Sequence, residues 1–447
     1  MGKRLEFYAY NPPTCGAFTI NGFEYRYGED FRNVKRYKEY LDCGFTMLQV
    51  RYENAYNGEP WEQSNAKKVC DEAYRAGVKK LLITDLRIDA LIKNEDIVGE
   101  DKIFKTEEEL DRRLKELVAV YKDVPAFYGI QLKDEPKLNQ LKAYGRIARA
   151  LKRVLPNIYL QCNLLPFGGM ASGVPDTYDV YRNYIETYFK ETDNPHVCMD
   201  EYPFRREYIL SGNIVRGYQI IAEVCKKLGK EFHTVLQSFA NISEGIYRCR
   251  RVNESDMYWQ TNAATGFGVR QYAFYTYMPK CDISYKNGAG DGIDGACFLN
   301  GDGSKTALYF YTKRIISEMK TFSRIALNYD YERYYIVAES GKTKNDFEWT
   351  ETAVVDDSTP FPISVDKGVA LITEQRNGDD RLFMIENFGN VKDELFCGAP
   401  PMKVEFSLPD GKKSFYFRGK RIKCENANGK FVRELKVGDA VFIEIKK

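Results

Sequence analysis

The chain has 447 residues, a net charge of +2 with acids and bases interspersed, and 33 tyrosines. That length exceeds one average domain, and the balanced charge lacks the basic footprint of a nucleic-acid binder. Eleven scattered cysteines without a Cys-x-x-Cys pair point to neither a disulfide framework nor a zinc ribbon, and no apolar run reaches the roughly 18 residues of a membrane span. With no signal-like apolar segment after Met1, the expectation is a soluble cytoplasmic protein.

The first predicted strand, residues 5–10, runs into Asn11-Pro12-Pro13, and a helix over 31–43 stops at Gly44. Strand two follows at 45–51, a helix over 62–76 closes at Gly77, and strand three covers 80–85. Thr106 before Glu107-Glu108-Glu109 supplies a cap and a first turn of acids for a helix over 107–122. Strand four, 126–135, is an apolar run that ends abruptly in Asp134-Glu135-Pro136. A helix over 137–155 leads to strand five, 158–163, and a helix over 176–191 to strand six, 196–203, which ends in Asp200-Glu201 and Pro203. The series continues with a helix over 213–228, strand seven at 231–237, a helix over 253–265, strand eight at 268–275, a Gly/Asp-rich loop over 286–304 and a helix over 306–322.

Eight alternations of strand and helix predict a (β/α)8 TIM barrel over residues 1–323. An open doubly wound sheet would want a Gly-rich turn after its first strand, where Asn11-Pro12-Pro13 stands. After Arg324 come short alternating strands at 334–339, 353–356, 369–374, 381–387, 402–408, 414–418, 421–424 and 440–445. Asn377-Gly378, Asp410-Gly411 and Asn428-Gly429 turns punctuate them, so residues 324–447 are expected to form a smaller all-β sandwich in a structural role.

Both acid pairs fall at carboxyl ends of predicted strands and therefore on the barrel face where active sites are built. Glycosidic hydrolysis needs two carboxyl groups, one protonated and one ionised. Glu135 is the expected acid/base and Asp200 the second carboxylate, with Glu201 as its rival because adjacent strand residues point to opposite sides. Tyr10, Asn11, Arg51, Glu53, Asp85, Asn163, Tyr202, Gln237, Tyr275 and Tyr277 also lie at strand ends. Hydroxyl-bonding groups mixed with aromatic faces read as a carbohydrate cleft, with Tyr275 or Tyr277 as a stacking platform. Arg248, Arg250 and Arg251 form a basic cluster that reads as a solvated helix approach or, in a loop after strand seven, as a contact for an anionic sugar such as a uronate. Asp291, Asp294 and Asp302 read as turn formers rather than calcium ligands. The only two histidines, His196 and His233, sit at the wrong strand end for catalysis, and neither a metal nor a cofactor is expected.

Tyr128-Gly129-Ile130-Gln131-Leu132-Lys133-Asp134-Glu135-Pro136 resembles the fourth-strand motif of clan A glycoside hydrolases, in which a Glu after Asn is the acid/base. Asp200-Glu201-Tyr202-Pro203-Phe204, Gln237-Ser238 and the stretch from Gly301 to Tyr309 are similar to a group of bacterial glycoside hydrolase-like proteins likened to family 42 β-galactosidases. The resemblance implies a glycosidase acting on oligosaccharides or small glycosides. Clan A places its nucleophilic Glu at the end of strand seven, where this chain has Gln237, and an amide cannot form a glycosyl ester. Three expectations remain open: Glu135 working with Asp200 or Glu201, substrate assistance oriented by Asp134 as in hexosaminidases with an Asp-Glu pair, or a carbohydrate-binding barrel without catalysis.

Overall fold

The computed structural model describes residues 4–20, 23–26, 29–92, 97–168, 177–205, 209, 211–241, 249–279, 293–294, 297–340, 359–389, 400–427 and 429–447. Eight strands form one parallel sheet: β1 (Glu6–Ala9), β2 (Leu48–Val50), β3 (Leu81–Thr84), β4 (Phe127–Asp134), β5 (Tyr159–Leu164), β6 (His196–Asp200), β7 (Glu231–Gln237) and β8 (Gln271–Tyr275). They neighbour one another in chain order, and β8 returns to pair with β1. Thr46 completes the ring, because its amide donates to the Phe7 carbonyl at 2.7 Å and its hydroxyl accepts from the Phe7 amide at 3.0 Å. This is the expected (β/α)8 barrel.

Nine helices surround the strands among the described residues: α1 (Val34–Asp42), α2 (Asn65–Ala76), α3 (Leu86–Ile92), α4 (Glu107–Val118), α5 (Leu141–Val154), α6 (Tyr178–Thr192), α7 (Ser211–Leu228), α8 (Glu254–Gly266) and α9 (Ala307–Ala326). Their ends follow the capping residues. The Ser64 hydroxyl accepts from the Lys67 amide at 3.0 Å to start α2, which Gly77 ends at a φ of +109°, a conformation only glycine adopts freely. The short α3 escaped the sequence reading. It starts where the Asp85 carboxylate accepts from the Arg87 amide at 3.0 Å.

Two features of β4 aim the acids that end it. A Cβ on Gly129 would lie 2.0 Å from the Tyr159 carbonyl oxygen, so only glycine allows β4 and β5 to approach this closely. Farther along, Gln131 pairs with Gln161 but Asp134 with Asn163, so β4 carries one extra residue between them. Such a bulge bends the strand and re-aims the side chains beyond it. Asp134 is thereby brought level with Asn163, and Glu135 turns out of the sheet with a φ of +49°.

The C-terminal strands are β9 (Asp330–Ala338), β10 (Ile363–Val365), β11 (Val369–Asn377), β12 (Asp380–Asn387), β13 (Met402–Phe406), β14 (Lys412–Phe417), β15 (Lys420–Ile422), β16 (Glu425–Ala427), β17 (Lys430–Leu435) and β18 (Ala440–Lys446). They form a six-stranded sheet, β9-β11-β12-β18-β14-β15, and a four-stranded sheet, β10-β13-β17-β16. Ile372, Phe383, Ile385 and Ile443 pack with Val404, Phe406 and Leu435 inside this sandwich. The alternate residues Leu371, Leu382, Met384 and Phe442 join the barrel core instead. Trp259 of α8 stacks on Phe388 at 4.1 Å, and Phe322 of α9 meets Phe442 at 4.5 Å. The larger sheet is therefore buried on both faces. The strand expected at 353–356 lies outside the described residues. Strands β10, β16 and β17 and a hairpin of Ala17–Ile20 with Phe23–Arg26 were not foreseen, being short and, in β17, rich in charge.

At the amino-terminal mouth of the barrel, rings from four consecutive strands stack: Tyr128 on Tyr159, Tyr159 on His196, and His196 on His233, with centroids 4.9, 4.6 and 4.5 Å apart. They help wall a cavity of about 610 Å³. Burial pushes both histidines down. His233, when protonated, and the charges of Lys152 and Lys230 press further on His196, while Glu231 and Glu6 partly offset the shift of His233. Both are neutral in the fold and take up protons on unfolding, so they withdraw stability as pH falls below the free histidine value of about 6.5. Replacing His196 by Phe is expected to remove up to about 1.4 kcal/mol per pH unit from the acid slope of stability below that pH. Urea midpoints of both proteins between pH 5 and 8 check this; parallel slopes would contradict it.

Candidate active site

The carboxyl ends of β1, β2, β4, β5, β6 and β8 converge on one mouth, where most of the expected residues meet. Asp134 is held from two sides, accepting from the Asn163 amide at 3.2 Å on one oxygen and from the Arg51 guanidinium at 2.5 Å on the other. Asn163 accepts in turn from the Tyr10 hydroxyl at 2.8 Å. Arg51 lies over the Tyr10 ring, 4.4 Å from its centroid, and 6.0 Å from the centroid of Tyr275. Glu135, beside Asp134 in sequence, comes within hydrogen-bonding reach of Asp200 from β6. The Tyr202 hydroxyl donates to Asp200 at 3.1 Å. Tyr202, Tyr275 and Phe239 form an aromatic corner, with centroids 5.0 to 5.6 Å apart. Phe239 was not foreseen, although its place just past Gln237-Ser238 at a strand end was the available signal.

The two facing carboxyl groups differ in environment. Asp200 is buried, and burial, then the charges of Glu135 and Asp134, hold it well above the usual carboxylate range. The Glu135 side chain is reached by water, yet protein and neighbouring acids crowd it. Crowding out of bulk solvent, then the charge of Asp134, raises it to about 7, against the opposing charge of Arg51. Two acids in contact cannot both ionise near neutrality, so one proton is shared between them over a range of pH. Each can act as donor or as acceptor to the other.

Glu201 takes no part in this pair. Strand alternation sends it outward, where its side chain caps the Tyr202 amide at 3.0 Å and sits 3.9 Å from Arg205. Burial raises it to about 7. Asp85 is also occupied elsewhere, ion-paired with Arg87 at 2.7 Å and accepting from the Tyr121 hydroxyl at 2.7 Å. Glu53 is buried, its backbone carbonyl lies 3.9 Å from the Cys15 thiol, and its charge reaches Cys15 and Tyr37. Tyr277 is packed among Tyr40, Phe45 and Phe298 behind the barrel wall, so of the two suggested platforms only Tyr275 faces the mouth. Asn11 adopts a φ of +49° and its carbonyl accepts from the Met278 amide at 3.1 Å, while its buried amide nitrogen has no hydrogen-bond partner among the described residues.

Gln237, which stands where clan A carries a nucleophile, is fully buried and committed to backbone. Its carbonyl accepts from the Phe204 amide at 2.9 Å, and its amide donates to the carbonyls of Phe204, Phe239 and Arg250, each at 3.2 Å. One side chain thus fastens the loops after β6 and β7. The basic cluster is likewise structural at its centre, because Arg250 is buried in a two-bond ion pair with Asp256. Arg248 and Asp291 lie outside the described residues. Asp294 lies in a two-residue strand beside Ala240, and Asp302 accepts from the amide and hydroxyl of Ser304, as a turn former does. Among the described residues no group of three or more His, Cys, Asp and Glu is arranged to hold a metal ion, and no helix is long and apolar enough to cross a membrane.

No family model matches the sequence, and no curated protein matches it. Among solved structures the fold is similar to an α-amylase from Anoxybacillus, with a TM-score of 0.53, 11 % identity, and coverage of 99 % of this chain and 98 % of that one. It is also similar to a family 5 glycoside hydrolase from Bacteroides vulgatus, with a TM-score of 0.52, 11 % identity, and coverage of 100 % and 89 %. An α-amylase from Geobacillus thermoleovorans, complexed with acarbose, gives a TM-score of 0.51 at 10 % identity over 99 % and 98 %. At such identities the likeness is one of fold.

Proposed function

We propose that this protein is a glycoside hydrolase whose catalytic pair is Glu135 and Asp200, acting on oligosaccharides or small glycosides. The observation that carries the reading is the close approach of these carboxyl groups at the mouth of the barrel, near enough for each to act on the other's proton. A pair with one proton between them holds both forms the reaction needs, an acid and an anion. Glu135, the group open to solvent, gives its proton to the glycosidic oxygen as the bond to the anomeric carbon breaks. The Asp200 carboxylate attacks that carbon and forms a glycosyl ester. Glu135, now ionised, takes a proton from water, whose oxygen attacks the same carbon and releases Asp200.

Retention is favoured over inversion because carboxyl groups near enough to interact directly stand closer to the roughly 5 Å spacing of a retaining pair than to the roughly 6.5–9.5 Å that admits the attacking water of an inverting enzyme. Asp134 is already bound on both oxygens by Arg51 and Asn163, which argues against its orienting an acetamido nucleophile. Its anion instead raises the neighbouring pair. Tyr275, with Tyr202 and Phe239, supplies a face for the C–H side of a sugar. Family 42 β-galactosidases, which the motifs resemble, support the acid/base role of Glu135, whereas Asp200 as nucleophile departs from their strand-seven Glu.

The test is a panel of chromogenic glycosides, including N-acetylhexosaminides and uronides, followed by NMR of the first-formed anomer from any substrate that turns over. Turnover with retained configuration is the expected result. Inversion would remove Asp200 from the nucleophile's role. Sugar binding without any turnover would favour a carbohydrate-binding barrel, the reading consistent with an amide at the end of β7.

A further inference from the structure

The interior of a TIM barrel is ordinarily filled by layers of branched aliphatic side chains. Here Gln161 and Asn163, both buried, stand on the axis with Tyr8, Tyr10 and Tyr159 around them. Their bonds form one uninterrupted file. Gln271 donates to the Tyr159 oxygen at 2.8 Å, the Tyr159 hydroxyl donates to the Gln161 carbonyl at 2.7 Å, the Gln161 amide donates to the Asn163 carbonyl at 3.3 Å, and the Asn163 amide donates to Asp134 at 3.2 Å. The file begins at the amino-terminal cavity, which Tyr159, His233 and Gln271 line, and ends at the opposite mouth.

We propose that Tyr159 is a positioning residue for the carboxylates at the far end of the barrel, acting through Gln161 and Asn163 on Asp134. The inference rests on the catalytic reading of Glu135 and Asp200 given above. The direction of every bond follows from one fact, that a carboxylate only accepts. Asp134 must face the NH2 of Asn163, so the Asn163 carbonyl faces both the Tyr10 hydroxyl, which donates to it at 2.8 Å, and Gln161, which answers with its own NH2 at 3.3 Å. The Gln161 carbonyl then faces Tyr159, whose hydroxyl donates to it at 2.7 Å and lies farther, 3.4 Å, from Nδ1 of His233. A file with all donors pointing one way is self-reinforcing, and neither amide can turn over without leaving a buried group unpaired. Asp134 is consequently fixed beside the Glu135–Asp200 pair, whose shared proton feels its charge.

Tyr159→Phe keeps the ring in its stack and removes only the hydroxyl, freeing the Gln161 amide to turn. We expect kcat on a glycoside to fall about tenfold with KM changed by less than about twofold, and the pH profile to shift. Gln161→Leu cuts the same file one link along, so the double variant should be no worse than either single one. Tyr128→Phe, in the same stack but off the file, should match the wild type. A second readout needs no substrate: carbon NMR of the side-chain carboxyls, in which the Glu135 and Asp200 titrations move in Tyr159→Phe and not in Tyr128→Phe. Unmoved titrations, or losses that multiply in the double variant, would overturn the proposal. If the wild type turns over no glycoside, the catalytic reading fails while the carboxyl titrations still decide whether the file acts on the pair.

Discussion

Glu135→Gln is expected to lower glycoside hydrolysis by roughly 10² to 10⁴-fold while leaving the protein folded, because it removes the transferable proton and keeps the shape. The pH profile carries more information than the loss. In the wild type the form with one proton on the pair is the active one. Below about 7, the value to which Glu135 is raised, both groups are protonated and no anion is left to attack. Activity should therefore rise as pH increases through about 7, where the pair loses its first proton, and fall again once it loses its second; both steps belong to the pair, and the reacting arrangement is the one that carries the shared proton on Glu135 and the charge on Asp200. A lone acid would give the opposite slope near 7. Stability should move against activity. A carboxyl raised in the fold contributes stability that is whole below its unfolded value and is lost as pH rises through its folded one. Glu135→Gln should thus melt no lower than the wild type at pH 8. Retention of more than about a tenth of the activity would remove Glu135 from the mechanism.

Arg250→Met is expected to cost about 3–5 kcal/mol of stability, the usual penalty for stranding one partner of a buried ion pair. Arg250 and Asp256 are only 1 % and 3 % exposed, and their two bonds measure 2.6 and 2.8 Å. Asp256 also accepts from the Asn253 amide at 2.9 Å and so closes the first turn of α8. Without the guanidinium, that carboxylate would be buried without its counter-charge inside the helix that carries Trp259 to the sandwich. The double variant with Asp256→Leu should recover part of the loss, since removing both charges is tolerated far better than removing one. Chemical denaturation of the three proteins measures the difference. A loss below about 1 kcal/mol in the single variant would mean that water reaches the pair.

Sequence periodicity carried the barrel, because strands buried on both faces and helices closed by Gly44, Gly77 and Gly229 leave strong local marks. The acid pairs were legible for the same reason: ionisable groups end an apolar run where solvent begins. The choice between Asp200 and Glu201 lay in the alternation of His196, Cys198 and Asp200 along one strand face. Long-range partners left no such mark. Nothing near Gln237 in sequence announces that its amide will clasp backbone from Phe204 and Arg250, and nothing near Asp85 announces Tyr121. The bulge before Asp134 shows only when β4 is laid against β5. In the C-terminal region, Asn377-Gly378 marked its hairpin well, whereas the charged β17 disguised its inward Leu435.

The sheet that carries Leu371 and Met384 on one face and Ile372 and Ile385 on the other constrains how this chain can be cut and inherited. A recombination point placed after α9 would leave each fragment with a raw apolar surface and no means of covering it. Viable shuffling would have to move the strands together with the helices that receive them, so the two halves of the molecule pass through evolution as one lineage.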